Sequence, residues 1–467
     1  MPHSVDSREM TARIFTALDV ATRSYDRAPA AARFGDEFDA TAHRLALQSA
    51  DRSVDEPWTL HLRLPHCNTF CAHCERNDGT RHEALLRRYL DQVVAEVDAV
   101  CSVLDHRKRV TSVLLGGGTP NTYPVTTLAR LVLHLRRQFD ITADAELAIE
   151  LDPRLATGSY LPALAQLGFN RIALGIQDFD PVVQRAIGRV HDYRQTLEMC
   201  GLARRHGFRS VRFDLVYGLP FQSRQGFRQT MEMVVEAAPD RVSLQRFVAT
   251  EAHPPLSLAG CPEPYERWRL LELGYDILLA GGYVPAGAGH FARPDDAVAL
   301  AVRTRALKRT LSGYSDGPPT DVLAFGAGAT SHIDSTYVYN VDDVDDYMAA
   351  LARTGWATGG GGRPSAAQER HAWVVDQLMC YGNVSGEAYR QRFGRAFEAD
   401  HSAALRLLAR SPFDVLIRTA DARGVVASDP GARLIEVVAA TFVPHMWTPL
   451  RQVADDVGTP FLEALAQ

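Results

Sequence analysis

Six short apolar segments recur along the first half of the chain, and they constrain its fold more than any other feature. The segments are WTLHLRLP (58–65), VTSVLLGG (110–117), AELAIELD (145–152), NRIALGI (170–176), SVRFDLVYG (210–218) and DRVSLQRFV (240–248). Amphipathic stretches separate them, in which apolar residues recur at intervals of three and four. This alternation is typical of βα units and a parallel sheet. Six units predict an α/β fold built on an open partial (β/α)6 barrel.

The flanking regions predict smaller units around that barrel. We expect residues 1–57 to form an N-terminal arm of helix and loop. We expect residues 58–357 to form the barrel and its C-terminal extension. The glycine-rich run 358–364 predicts a linker. Beyond it, residues 365–446 predict a small α+β domain of helices followed by a β-hairpin, and residues 447–467 predict a tail.

Composition narrows the class of partner. The chain has 50 basic and 56 acidic residues, and this balance favours a small-molecule substrate over nucleic acid or a lipid surface. We expect a cytoplasmic protein with no membrane contact, because the N-terminus lacks an apolar leader and no segment approaches the roughly 20 apolar residues of a span. A reducing compartment argues against reading the seven cysteines as a disulfide framework.

Three of the cysteines fall within eight residues. Cys67, Cys71 and Cys74 follow the first apolar segment, where an α/β barrel places its active-site loops. Thiolates select zinc or iron–sulfur sites, and a [4Fe–4S] cubane takes one ligand per iron, so three cysteines leave one iron open. A Cys3His zinc site is the alternative that this motif leaves open. Three nearby histidines could complete it: His66, His73 and His82.

A glycine loop ends the second segment. Gly116 to Pro120 read GGGTP, and successive glycines at the C-terminal edge of a parallel strand let the backbone approach a ligand closely. Such a loop is often only a tight βα turn. Its place one strand after the cysteine loop predicts that the two loops flank one ligand.

Together these motifs resemble the HemN-like radical S-adenosylmethionine (SAM) family. The resemblance rests on HCNTFCAHC, LLGGGTP, ELAIELDP, GFNRIALGIQDFDPVVQRAIGR, FDLVYGLPFQS and GHFARPDD and covers nearly the whole chain. It implies a [4Fe–4S] cluster on the three cysteines, with SAM on the open iron as the source of a 5′-deoxyadenosyl radical. It also implies a second SAM nearby and an electron donor such as flavodoxin or ferredoxin. With this resemblance, zinc becomes the weaker reading.

The resemblance assigns roles to residues one at a time. Cys67, Cys71 and Cys74 match the cluster ligands. The positions that match or align with contacts to the first SAM are His61, Gly117, Gly118, Thr119, Glu150, Gln177, Arg189, Asp214 and Val248. From the residues alone, Glu150 and Asp214 could equally be salt-bridge partners inside the barrel, and Arg189 could be a charge on a helix surface.

Several positions depart from the family pattern on the substrate side. Arg76 replaces a fourth cysteine, His73 replaces an aromatic residue, and Gly289 replaces an acid before His290. We expect the second SAM or the substrate near a set of polar residues: Arg63, His73, Arg76, Arg212, Arg246, His290 and Ser312.

Strand parity suggests how three arginines of that set are arranged. We hypothesise that Arg63, Arg212 and Arg246 form one inward or rim cluster that pairs with carboxylates of SAM or substrate. The alternative is pairing inside the protein, since buried arginines nearly always have an acidic partner. The available acids are Glu150, Asp152 and Asp214.

These departures favour a particular reaction. We expect an enzyme of specialised metabolism that uses two SAM molecules for C-methylation or cyclopropanation of an sp² carbon. The main alternative is the family's type reaction, the oxidative decarboxylation of coproporphyrinogen III propionates to vinyl groups. A non-catalytic cluster or heme carrier is the alternative from a different class, and the intact glycine loop and Glu150 argue against it.

Overall fold

The structure is a computed structural model, and it places most of the chain in regular elements. It describes residues 10–15, 38–53, 55–69, 71–74, 82–156, 158–248, 260–310, 313–317, 320–410, 412–420, 424–446 and 450–451.

Six parallel strands form the centre of the molecule. They are β1 (Trp58–Leu64), β2 (Arg109–Gly117), β3 (Asp140–Leu151), β4 (Arg171–Gln177), β5 (Ser210–Tyr217) and β6 (Arg241–Arg246). Neighbours in the chain are neighbours in the sheet, and every pair is parallel. The predicted partial (β/α)6 barrel is therefore confirmed, as is the presence of each of its six strands.

Helices cover the outer face of these strands. They are Glu83–Cys101, Val125–Gln138, Tyr160–Gln166, Pro181–Ala186, Tyr193–Arg205 and Arg224–Ala237. Side chains alternate across each strand, so Val211, Phe213 and Leu215 of β5 are fully buried against this layer. Arg212 and Asp214 consequently face the barrel interior. A lumen with charged residues is the first structural sign of a site.

The central sheet is extended at both edges to twelve strands. Beside β1 lie β11 (Asp321–Phe325), β12 (Thr330–Ile333), β13 (Thr336–Asn340) and β14 (Thr358–Gly362), and beside β6 lie β8 (His290–Ala292) and β7 (Val284–Pro285). A separate hairpin joins β9 (Lys308–Thr310) to β10 (Gly313–Ser315). Helices Pro264–Ala280, Ala297–Arg303 and Val344–Thr354 accompany these strands.

The glycine run predicted as a linker is instead strand β14. It pairs with β13 in an antiparallel ladder, so the linker prediction is wrong. A Cβ at Gly361 would lie 2.4 Å from the carbonyl oxygen of Tyr337. The glycines therefore allow the backbones of two strands to approach closely. A glycine run of this composition is equally compatible with a flexible linker, so composition alone does not separate the two.

The region after β14 contains mostly short helices and a small sheet. The helices are Ala366–Tyr381, Gly386–Phe393, Phe397–Asp400, Ser402–Leu408, Asp429–Arg433 and Ile435–Ala440. The sheet has the order β15 (Asn383–Ser385), β17 (Gly424–Ala427), β16 (Ile417–Ala420), and β16 and β17 form the predicted hairpin. Short 3₁₀ turns cover Pro120–Thr122, Phe413–Val415 and Pro444–Met446.

The N-terminal arm contributes two helical segments, residues 10–15 and Ala40–Asp51. Apart from residues 450–451, the predicted tail lies outside the described residues. Across the parts of the chain that the structure describes, no helix combines the length and the apolar character that crossing a membrane requires.

Candidate active site

The three clustered cysteines lie in the loop between β1 and the helix Glu83–Cys101. Cys71 is buried, Cys67 is half-buried and Cys74 is exposed. The Cys74 amide donates to the Cys71 carbonyl at 3.1 Å, and the Ala72 amide donates to the Ile187 carbonyl at 3.0 Å. The loop is therefore attached to the region after β4. Residues 75–81, which include Arg76, lie outside the described part.

Hydrogen-bond donors surround two of the thiols. The Thr119 hydroxyl donates to Cys67 Sγ at 3.4 Å, while Arg189 Nη1 and Arg154 Nη2 donate to Cys71 Sγ at 3.7 and 3.8 Å. Burial raises the pKa of the Cys67 thiol, and the Thr119 hydrogen bond opposes that rise. Donors of this kind stabilise thiolates, the form in which cysteine binds iron.

The donor set fits an iron–sulfur cluster. A cubane takes one thiolate per iron, so its ligands surround it instead of meeting at one point. Within the described residues, no three His, Cys, Asp or Glu side chains converge as ligands of a single ion do. His66, a candidate zinc ligand, shares its Nδ1 with Tyr123 Oη at 2.5 Å, and His82 directly precedes the helix Glu83–Cys101.

The glycine loop packs against the cysteine loop. Thr119 donates its amide to the His66 carbonyl at 3.0 Å, and a Cβ at Gly118 would lie 2.5 Å from the Leu64 carbonyl oxygen. Gly117 has φ +98°, a backbone conformation that favours glycine. The two loops therefore lie side by side at the C-terminal edge of β1 and β2, as the sequence predicted. Their backbones form a cradle that larger side chains would fill.

Charged side chains face the barrel interior next to this cradle. Glu150 Oε2 accepts the Gly117 amide at 3.1 Å, and Glu150 Oε1 lies 3.9 Å from Arg212. Arg212 Nε pairs with Asp214 Oδ1 at 2.8 Å. Burial alone would lower the pKa of the Arg212 guanidinium, but the charges of Asp214 and Glu150 outweigh burial and raise it. Arg212 is therefore paired inside the protein, which the sequence left as an alternative.

The hypothesis of one three-arginine cluster is wrong. Arg63 donates to the Gly328 carbonyl at 2.6 Å and lies 3.3 Å from Asp342. Arg246 aligns with Tyr217 in the β5–β6 register, on the face opposite Asp214. The register between strands, which one strand's parity does not reveal, directs Arg246 out of the barrel. There it lines a separate cavity that also includes Tyr275 and Arg433.

His61 faces the barrel interior from β1, and one of its ring nitrogens marks a candidate ligand contact. Its Nδ1 is buried without a hydrogen-bond partner among the described residues. Burial, assisted by the Arg63 charge, lowers the pKa of His61 to about 4, so the ring is neutral. A buried unpaired polar atom is rare, and a bound molecule would satisfy it. The thiol set, the glycine cradle and this nitrogen all fit a cluster with SAM beside it.

The remaining predicted contacts lie around the same rim. Gln177, the last residue of β4, has φ +66°, a strained value that is common at functional sites. Arg189 donates twice to the Gly175 carbonyl, at 3.1 and 2.8 Å, so it is not a surface charge. Val248 follows β6 and is half-buried, and His73 lies between two cluster cysteines.

The predicted second site is partly described. His290 is buried, donates from Nδ1 to the Ala288 carbonyl at 2.9 Å and packs edge-on against Tyr314. A Cβ at Gly313 would lie 3.0 Å from His290 Nε2 and 3.6 Å from Arg212 Nη1. His290 therefore lies next to the charged lumen. Ser312 falls outside the described residues.

Sequence reasoning missed Arg154. The sequence offers Asp152 as a partner for Arg63, Arg212 or Arg246, whereas in the structure it accepts Arg154 Nη2 at 2.6 Å. The available signal was position, because DPR follows β3 at the same edge as the cysteine and glycine loops.

Comparison with known proteins identifies the family. The Radical SAM superfamily model matches residues 63–234. The oxygen-independent coproporphyrinogen III oxidase of Pseudomonas aeruginosa is 30% identical over 459 residues, covering 96% of this chain and 98% of that protein. The chain belongs to the HemN family of radical SAM enzymes. Membership in this superfamily implies the [4Fe–4S] cluster and SAM.

Two Escherichia coli comparisons agree with this assignment. The enzyme of the same name from strain K12 is 31% identical over 431 residues, covering 90% of this chain and 92% of that one. The solved structure described as coproporphyrinogen III oxidase (HemN) superimposes with a TM-score of 0.83 at 29% identity, covering 90% of this chain and 96% of that one. The HemN fold thus covers nine tenths of the chain.

The expected methylase or cyclopropanase is wrong. Four relatives that cover at least 90% of the chain are each an oxygen-independent coproporphyrinogen III oxidase. At 30% identity, about seven positions in ten differ from the Pseudomonas relative. A few substitutions such as Arg76 or Gly289 therefore carry little weight against full-length similarity.

Proposed function

We propose that this radical SAM enzyme catalyses the oxygen-independent oxidation of coproporphyrinogen III, converting propionate side chains to vinyl groups. The observation that carries the proposal is the similarity to the Pseudomonas oxidase, which covers 98% of that protein. Regions outside the radical SAM core match as well, because the superfamily model covers residues 63–234 whereas the similarity to the Pseudomonas protein covers 96% of this chain.

The chain's own residues supply position and charge. Cys67, Cys71 and Cys74 would hold three irons, and Gly117 with Glu150 would hold the amino-acid end of SAM. When bound, the cluster and SAM supply a 5′-deoxyadenosyl radical, which takes one hydrogen atom from the substrate. Arg212 and Asp214 form an ion pair, so together they place fixed polar groups in the barrel interior without adding net charge to it.

The chemistry identifies which substrate carbon reacts. A propionate has two CH2 groups between the pyrrole ring and the carboxylate. Loss of the carboxylate leaves a double bond between these two carbons only if the carbon attached to the ring has lost one of its two hydrogen atoms. The substrate then releases carbon dioxide and one electron and becomes a vinyl group. The electron leaves to an acceptor, and a separate donor such as flavodoxin or ferredoxin reduces the cluster.

The experiment is an anaerobic assay of the reconstituted enzyme with SAM, dithionite and coproporphyrinogen III. We expect 5′-deoxyadenosine, methionine and carbon dioxide, with vinyl groups in the product by mass spectrometry. Cys71→Ala is the control, and it should lose both the cluster absorbance and all SAM cleavage. Deoxyadenosine formation without carbon dioxide release would contradict the proposed substrate, and no SAM cleavage by the parent enzyme would contradict the reaction class.

A further inference from the structure

Arg154 lies at the edge of the cluster loop, where each of its three guanidinium nitrogens donates a hydrogen bond. Its Nε donates to Asp152 Oδ1 at 3.0 Å, its Nη1 to the Gly188 carbonyl at 3.1 Å, and its Nη2 to Thr69 Oγ1 at 2.8 Å. The same Nη2 lies 3.8 Å from Cys71 Sγ. The guanidinium therefore joins the end of β3, the cluster loop and the segment that follows β4.

A second cation shares this arrangement. Arg189 Nη1 is 3.7 Å from Cys71 Sγ, and its Nη2 is 3.4 Å from Asp152 Oδ2. Asp152 is only 2% exposed, yet it is the carboxylate that both arginines contact. Two guanidiniums and one carboxylate leave one net positive charge beside a buried cluster ligand.

We propose that Arg154 is a positioning residue that orients Cys71 and raises the reduction potential of the cluster that Cys71 ligates. The reduced cluster carries one more negative charge than the oxidised cluster, so a nearby cation and an N–H···S hydrogen bond stabilise the reduced form more. The electron comes from an external reductant, and no bond to Arg154 forms or breaks. The inference rests on the cluster that the family implies, independently of the substrate.

An EPR-monitored redox titration of the reconstituted enzyme with dithionite, without SAM or substrate, tests this role. For Arg154→Gln we expect a lower midpoint, with a ratio of reduced to oxidised cluster about tenfold smaller at a given potential, which equals about 59 mV for a one-electron couple. Arg130→Gln is the matched control, because Arg130 pairs with Asp91 on exposed helix faces, and it should leave the midpoint unchanged. An unchanged midpoint in Arg154→Gln with full iron content would overturn the proposal.

A second variant predicts the opposite sign. Asp152→Asn removes the carboxylate between Arg154 and Arg189, so less of their positive charge is compensated and the midpoint should rise. A role limited to holding the loop predicts no rise. If Arg154→Gln fails to retain iron, Asp152→Asn decides alone, and a fall or no change in its midpoint overturns the proposal. Both variants report on the cluster, so they remain informative if the enzyme oxidises a different substrate.

Discussion

Glu150 is held from two sides inside the barrel, by the Gly117 amide at 3.1 Å and by the more distant Arg212 guanidinium. An ionised carboxylate can accept several hydrogen bonds at once, at about four acceptor positions. We propose that this carboxylate also binds the ammonium group at the amino-acid end of SAM. A single residue thus links the glycine loop to the charged lumen.

Replacing Glu150 tests its role in SAM binding. Glu150→Gln keeps the size but removes the charge, and hydrogen bonds to charged groups contribute about 1.5–3 kcal/mol. We therefore expect SAM to bind at least about tenfold more weakly, as measured by equilibrium dialysis. Glu146→Gln is the control. Glu146 lies on the same strand as Glu150 but deeper in the barrel, and it pairs with Arg171 of β4 at 2.8 Å. Equal SAM affinity in both variants would remove Glu150 from the SAM site.

At the scale of elements, the ends of β1 and β2 meet in one tight contact. A Cβ at Gly118 would lie 2.5 Å from backbone atoms of Leu64 and Pro65, which have no side-chain freedom to move aside. The cysteine and glycine loops keep their positions only while this contact is preserved.

Gly118→Ala should separate the two loops. Overpacking of this kind costs about 1–3 kcal/mol, and here the strain falls on the cluster loop. We expect a lower iron content after reconstitution and a matching loss of SAM cleavage. Gly158→Ala is the control, because nothing lies within 4 Å of a Cβ there. Full iron content and SAM cleavage in Gly118→Ala would show that the close approach is not needed.

Glu96 joins the helix Glu83–Cys101 to the far edge of the sheet. It accepts Tyr347 Oη at 2.6 Å, the Gly326 amide at 2.9 Å and Asn340 Nδ2 at 2.5 Å. Burial raises the pKa of Glu96 to about 7 despite these donors. The folded protein therefore binds this proton more tightly than the unfolded chain.

This shift predicts a pH-dependent stability. The contribution of protonated Glu96 is complete below its usual pKa of 4.5 and is lost as the pH rises to about 7. Between about pH 5 and about pH 8, the free energy of unfolding of the apoprotein should fall by about 3 kcal/mol more in the parent than in Glu96→Gln. Urea denaturation at each pH measures the difference. Parallel curves for the two proteins would contradict the prediction.

For the whole molecule, periodicity was a reliable guide where local burial determines structure. The six parallel strands could be predicted because each alternates or concentrates apolar residues against the helical layer. Strand β3 nevertheless begins at Asp140, before its apolar part, because its early residues pair with β2. The glycine strand β14 escaped prediction because its partner strand, and not its own side chains, defines it.

In the site, likewise, residues placed by strand order could be predicted, and residues placed by contacts between distant segments could not. The cysteines, the glycine loop and Glu150 could be predicted, because strand order brings successive strand ends to one edge. Arg246 was misplaced because its direction depends on the β5–β6 register. Arg154 was missed because its contacts with Thr69 and Cys71 join loops 85 and 83 residues apart. Contacts of that range arise only once the barrel has formed.

We propose above all that a SAM-derived radical removes a hydrogen atom from the propionate carbon next to the pyrrole ring. The most direct test of this proposal uses coproporphyrinogen III that carries deuterium at that carbon, with mass spectrometry of the 5′-deoxyadenosine formed by the reconstituted enzyme. We expect deoxyadenosine that contains one deuterium, formed in step with carbon dioxide release. Unlabelled deoxyadenosine formed alongside carbon dioxide would contradict it.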